Sequence, residues 1–140
     1  MKKKKRFTRT SYYRQHLACL LTKAGYRKIH LPPEVPGDPP VILFELKNQM
    51  TSACACVYWI SRSLRKKEVK EAVRIRNLYG SDLALIMTNG PLTRTAKRLA
   101  RDEGVGIVDY IEDDLPSPPA HQGDLNWIDH LEAYLAAVED

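Results

Sequence analysis

The sequence predicts an α/β domain built in layers, on three observations. Apolar runs of strand length alternate with amphipathic stretches of helix length from Ser11 to Tyr110. Glycines stand where amphipathic stretches end, at Gly25, Gly80 and Gly104. Leu83-Ala84-Leu85-Ile86-Met87 is apolar throughout, the pattern of a strand buried on both faces as in a parallel sheet.

Taken in order, residues 1–10 read as a basic flexible arm in which Lys3, Lys4, Lys5 and Arg6 can lie along phosphates. Ser11 offers an N-cap for a helix to Ala24, with Tyr13, Leu17, Leu20 and Leu21 as its apolar stripe. A short strand is expected over Tyr26 to Leu31, then a proline-rich connector to Pro40. Val41 to Gln49 reads as a buried strand, β-branched and aromatic, with Ile42, Phe44 and Leu46 on one face and Val41, Leu43, Glu45 and Lys47 on the other. Ala53 to Ile60 is open between a strand and the start of the next helix. That helix, capped by Ser61 or Ser63, is expected to run to Gly80 with Arg62, Arg65, Lys66, Lys67, Lys70 and Arg74 outward. After the apolar run and a Thr88-Asn89-Gly90-Pro91 turn, Thr93 to Glu103 is a helix with Arg94 and Lys97 on its outer face, and Val105 to Tyr110 a strand. The α/β domain is expected over residues 11–115, a proline-rich linker over 116–124 and an amphipathic helix over 125–140.

Composition narrows the function. The net charge of +5 hides an asymmetry: residues 1–101 hold all 22 Lys and Arg, and residues 102–140 hold none of them. A basic body with an acidic tail points to an anionic partner, nucleic acid first. No apolar run approaches the ~20 residues of a membrane span, and no apolar core follows the basic N-terminus, so a cytoplasmic protein is expected. The absence of a P-loop and of Gly-x-Ser-x-Gly argues against nucleotide hydrolysis, a nucleotide cofactor and serine-hydrolase chemistry. Cys19, Cys54 and Cys56 lack zinc-ribbon spacing and read as reduced, mostly buried residues.

Glu45 and Lys47, two apart on one face at the end of an apolar strand, need a reason, because an unpaired charge is costly to bury. They pair with each other at a wet strand end, or they form a site in which a carboxylate holds a divalent metal beside an ammonium.

The order of the pieces resembles the Mrr-type restriction endonuclease domain, a branch of the PD-(D/E)xK nuclease superfamily. The resemblance runs from roughly Val41 to Leu115. It rests on Phe44-Glu45-Leu46-Lys47, the long basic helix, the Ala84-to-Gly90 strand and turn, and Thr93-Arg94-Thr95-Ala96, which matches that family's Thr-x-x-Ala helix start. It implies a restriction endonuclease-like three-layer fold, a central mixed β-sheet flanked by helices. It also implies a DNA endonuclease that uses Mg²⁺ or Mn²⁺, with Glu45 as metal ligand and Lys47 orienting the attacking water.

The family's first acid belongs at the start of the preceding strand, beside the strand that carries Glu-x-Lys. The only Asp between Tyr26 and Glu45 is Asp38, named here as the second metal ligand. An extended chain would place it ~20 Å from Glu45, so a shared ion requires a sharp fold at Pro39-Pro40. Pairing of Tyr26–Glu34 with Val41–Gln49 would set His30 opposite Glu45. Should Ala53 to Ile60 be a strand, Glu45 falls on the second strand, and the Glu-x-Lys place falls in Val57 to Arg62, which has no carboxylate. Three functions stay open: a Mg²⁺-dependent DNA endonuclease, for which a homodimer is possible because restriction nucleases often pair to cut both strands; a catalytically degenerate nucleic-acid-binding module or subunit of a larger assembly; or a structural or protein-interaction domain with an incidental basic surface.

Overall fold

The computed structural model describes residues 9–46 and 51–109. The basic arm with Lys3, Lys4, Lys5 and Arg6, Lys47, the linker and the C-terminal amphipathic stretch lie outside the described residues.

Helix α1 spans Arg9–Ala24, beginning within the stretch expected to be a flexible arm and carrying Ser11 inside the helix rather than at its cap. Gly25 follows at φ 101, a left-handed stop that suits a residue without a Cβ. Strands β1 (Arg27–His30), β2 (Val41–Glu45) and β3 (Ser52–Tyr58) form an antiparallel meander. Helix α2 (Lys66–Tyr79), strand β4 (Leu83–Thr88), helix α3 (Arg94–Glu103) and strand β5 (Val105–Val108) complete a sheet of order β1-β2-β3-β4-β5, with β3, β4 and β5 parallel.

The alternation of side chains along the strands decides the layers. Ile42, Phe44, Leu46, Ala53, Ala55, Val57, Leu85 and Met87 face α1, where Tyr13, Leu17 and Leu21 are fully buried against them. Cys54, Cys56, Ala84 and Ile86 face the other way, against Val69, Ala72 and Ile75 of α2 and Ala96 and Ala100 of α3. The result is the three-layer α/β/α arrangement expected, with a mixed sheet between helices.

The open question at Ala53 is settled as a strand, because residues 53–58 are buried on both faces between β2 and β4. Cys54 and Cys56 lie inside that strand with free thiols; Cys19, also free, is exposed, against expectation, on the outer side of α1. The hydrogen bond to Cys54, then burial, pushes the Cys56 thiol well up, so it stays protonated.

Helix α2 starts at Lys66 rather than at Ser61 or Ser63. Leu64 makes a parallel bridge with Leu92, which holds the chain extended past both serines. The cap is supplied from inside the helix: Glu68 accepts from the Arg65 backbone N–H at 2.8 Å and from Arg62 Nη2 at 2.8 Å. Burial alone would raise the Glu68 carboxyl, but these hydrogen bonds and the Arg62 charge outweigh it and hold it below its ordinary value. A depressed carboxyl stabilises the fold fully above its unfolded pKa of ~4.3 and loses that contribution as pH falls through the lower folded value. Glu68→Ala is therefore expected to cost about 1–2 kcal/mol at neutral pH in urea denaturation. The gap should close as the titration is repeated at progressively lower acid pH.

Candidate nucleic-acid interface and strand-end cleft

The two outer helices carry the charge. Residues 61–104 hold eleven Lys and Arg against five Asp and Glu. Arg62, Arg65, Lys66, Lys67, Lys70, Arg74, Arg94 and Lys97 are all exposed, on the layer opposite α1. Two of them are engaged within the chain, Arg62 with Glu68 at 2.8 Å and Arg74 with Asp38 at 2.7 Å. Arg98 and Arg101 of α3 are exposed as well and extend the set. Because α2 and α3 pack side by side, their basic faces adjoin.

The sheet has two ends, and the acids divide between them. Glu45 pairs with Ser52, and Ser52 bonds to Asp82 at the entry to β4. Val41 pairs with Cys56, the Val57 N–H donates to the Pro40 carbonyl, and Tyr58 lies beside Thr88 at the other end. Val41 and Glu45 are thus four residue rises apart, about 13 Å, and Asp38 lies beyond Val41. The chain does not fold back at Pro39-Pro40, so Asp38 and Glu45 are not brought together. Among the described residues no group of three His, Cys, Asp or Glu side chains could hold a metal ion. The described acids therefore do not fit the Mg²⁺ or Mn²⁺ site expected from Glu45 and Asp38.

Glu45 has other partners. Arg27 stands opposite it, not His30, which pairs with Leu43 across a register irregularity in the β1–β2 ladder. Lys28, at φ 51, is the only non-glycine residue with positive φ among the described residues, and its ammonium reaches Glu45 Oε2 at 3.4 Å while Arg27 Nη2 reaches Oε1 at 3.3 Å. Glu45 is a paired carboxylate at the end of an inner strand, and Lys47 lies outside the described residues.

At the opposite end, Pro36, Pro39, Tyr58, Trp59, Asp38 and Glu71 help to line a cleft of about 530 Å³. Tyr58 Oη donates to Glu71 Oε1 at 2.6 Å. Burial foremost, with Cys56 and Glu71 nearby, pushes the Tyr58 hydroxyl far above its ordinary pKa, so it remains a donor. Trp59 packs edge-on against the buried Tyr13 ring at 4.8 Å. Arg14, 8% exposed, holds the connector over the cleft: Nη1 donates to the carbonyls of Pro32 and Val41 at 2.9 and 3.0 Å, and Nη2 reaches Glu34 at 3.4 Å. Sequence reasoning missed Arg14, Tyr58 and Glu71. Arg14 had a signal, a cation one turn before Leu17 and Ala18 within the buried stripe; the Tyr58–Glu71 pair, thirteen residues apart, had none.

Residues 9–112 match the Mrr_cat family, restriction endonucleases. The chain belongs to that family. Its fold is shared with a solved protein of unknown function, at a TM-score of 0.58 and 18% identity over 74% of this chain and 60% of that one. A repair endonuclease from Pyrococcus abyssi matches at 0.48 and 14% identity, over 76% of this chain and 47% of that one. EndoMS in a complex with double-stranded DNA matches at 0.48 and 17% identity, over 86% and 50%. The chain spans 60% or less of the length of each of these structures. No curated protein matches. In this restriction endonuclease family member, the end of β3 and the residues that follow it, Val57 to Arg62, carry no carboxylate, and Glu45 lies on β2 at the far end of the sheet. No helix among the described residues is long and apolar enough to cross a membrane.

Proposed function

We propose that this member of the restriction endonuclease family is a DNA-binding domain that engages duplex phosphates through the basic faces of α2 and α3 and does not cleave them. The observation that carries the reading is the separation of Glu45 from the end of β3. Glu45 lies at one end of the sheet, its carboxylate paired to Arg27 and Lys28, while β3 ends at Tyr58 and no carboxylate stands from Val57 to Arg62. The exposed Lys and Arg of α2 and α3 suit phosphate contacts, which position a protein on DNA without reading bases. The expected endonuclease, using Glu45, Lys47 and Asp38 with Mg²⁺ or Mn²⁺, is the reading against which this one is tested.

Supercoiled plasmid is incubated with wild type, Glu45→Ala and Asp38→Asn in Mg²⁺, Mn²⁺ or EDTA, and binding to a labelled duplex is followed by fluorescence anisotropy across salt. Salt-sensitive binding with no metal-dependent nicking is the expected result. Nicking that needs metal and disappears in Glu45→Ala would overturn the proposal and restore the endonuclease.

A further inference from the structure

The strand-end cleft differs in sign from the rest of the surface. The body of this protein is strongly basic, yet every charged side chain lining the cleft is acidic: Glu34, Asp38 and Glu71. The lining of the cleft therefore favours a cation over a phosphate. The three acids do not converge as a metal ligand set would. Its volume, about 530 Å³, is that of an organic ligand's pocket rather than of a bare ion.

The acids are not equivalent. Asp38 is held by Arg74 at 2.7 Å and Glu34 by Arg14 at 3.4 Å. Glu71, half-buried, takes its hydrogen bond from the neutral hydroxyl of Tyr58 and has no ion pair among the described residues. The nearby cations Arg74 and Arg62 are committed to Asp38 and Glu68. Net negative charge in the cleft is thus concentrated at Glu71 beside the Tyr58 ring on the α2 side, with Trp59 lining the cleft from the α1 side and Pro36, Pro39 and Pro40 as apolar wall. Aromatic faces attract cations electrostatically, and Trp does so best. The Trp59 ring packs edge-on against Tyr13 at 4.8 Å, which limits the ordering required of it on binding.

We infer that the cleft binds an organic cation, an alkylammonium or alkylguanidinium group, with the charge at Glu71 and the aliphatic portion along Tyr58, Trp59 and the prolines. The same group occurs in free amines and at the tip of a lysine or arginine side chain on a partner protein, and the probes below separate the two. This inference does not rest on the DNA-binding reading.

The test follows the indole N–H resonance of Trp59 by NMR, assigned with Trp59→Phe, in the full chain. The probes are n-butylammonium, n-butylguanidinium, the neutral n-butylurea, and a capped Gly-Arg-Gly peptide. Glu71→Gln preserves an acceptor for Tyr58 and removes the charge, and its folding is checked by circular dichroism. A saturable shift with the cationic probes, absent with the urea and weakened about fivefold or more in Glu71→Gln, is expected. Tighter binding of the peptide than of the free cations supports a partner's side chain as the occupant; the reverse supports a free amine. No saturable shift, an equal response to the urea, or an unchanged response in Glu71→Gln overturns the inference. Selective broadening of the Trp59 resonance by Mn²⁺, lost in Glu71→Gln, also overturns it in favour of a metal.

Discussion

Lys66→Glu, Lys67→Glu and Lys70→Glu combined should weaken duplex DNA binding about a hundredfold or more at 0.1 M salt and flatten the log K against log salt slope by about 2.7. The three lysines are exposed on the first two turns of α2 and engaged with no acid among the described residues, so each is free to meet a phosphate. Glutamate matches lysine closely in helix propensity, and acids near a helix N-terminus favour the macrodipole. The variant is therefore expected to keep its fold, which the thermal midpoint measured alongside would check. Fluorescence anisotropy on a labelled duplex reads the affinity, and a parallel variant with Arg94→Glu and Lys97→Glu reads the share carried by α3. Unchanged affinity and slope in both would remove the α2–α3 face from the interface and with it the proposed function.

Arg14→Ala should cost about 3 kcal/mol of stability, roughly 10 °C in Tm. The guanidinium is buried and satisfies the carbonyls of Pro32 and Val41, which lose that donor when it is removed. Burial pushes its pKa down, with Glu34 and Tyr79 opposing, but a guanidinium stays charged throughout the neutral range. Glu34→Gln is the contrast: its pair with Arg14 is long at 3.4 Å and Glu34 is exposed, so that change should cost under about 1 kcal/mol. Urea denaturation of the two variants separates the connector's backbone clamp from the ion pair. Equal costs would show that the carbonyl contacts contribute little. Loss of the clamp would also free the 32–40 connector that forms one wall of the cleft, so the Trp59 resonance should report it.

Local pattern carried most of the fold. The stripe Tyr13, Leu17, Leu20 and Leu21, the alternation along Val41 to Leu46, the apolar run from Leu83 and the glycine stops at 25, 80 and 104 each fix an element through neighbours three or four residues away in a helix, or two in a strand. Thr93, read from the sequence as the first helical residue, is instead the N-cap of α3, its hydroxyl accepting from the Ala96 N–H at 3.1 Å. Ser61 and Ser63 are the counter-case. They have the chemistry of caps, but the bridge between Leu64 and Leu92, twenty-eight residues apart, keeps that stretch extended.

The sequence by itself determined the layered α/β class, the basic outer helices and the family resemblance, because these depend on periodicity and charge counts. Only the tertiary structure decided where the acids stand. Whether Ala53 to Tyr58 was a strand could not be read locally, since its burial on both faces comes from β2 and β4. That assignment makes the strand of Glu45 the second of the meander, while the β1–β2 register sets Arg27 opposite Glu45 and the start of β2 at Val41 leaves Asp38 at the other end of the sheet. Glu71 reaches the cleft because α2 folds back over β3 and meets Tyr58, a pairing with no counterpart in residue spacing. A carboxylate's chemistry is set by what surrounds it, and those surroundings are assembled by contacts between residues far apart in the chain.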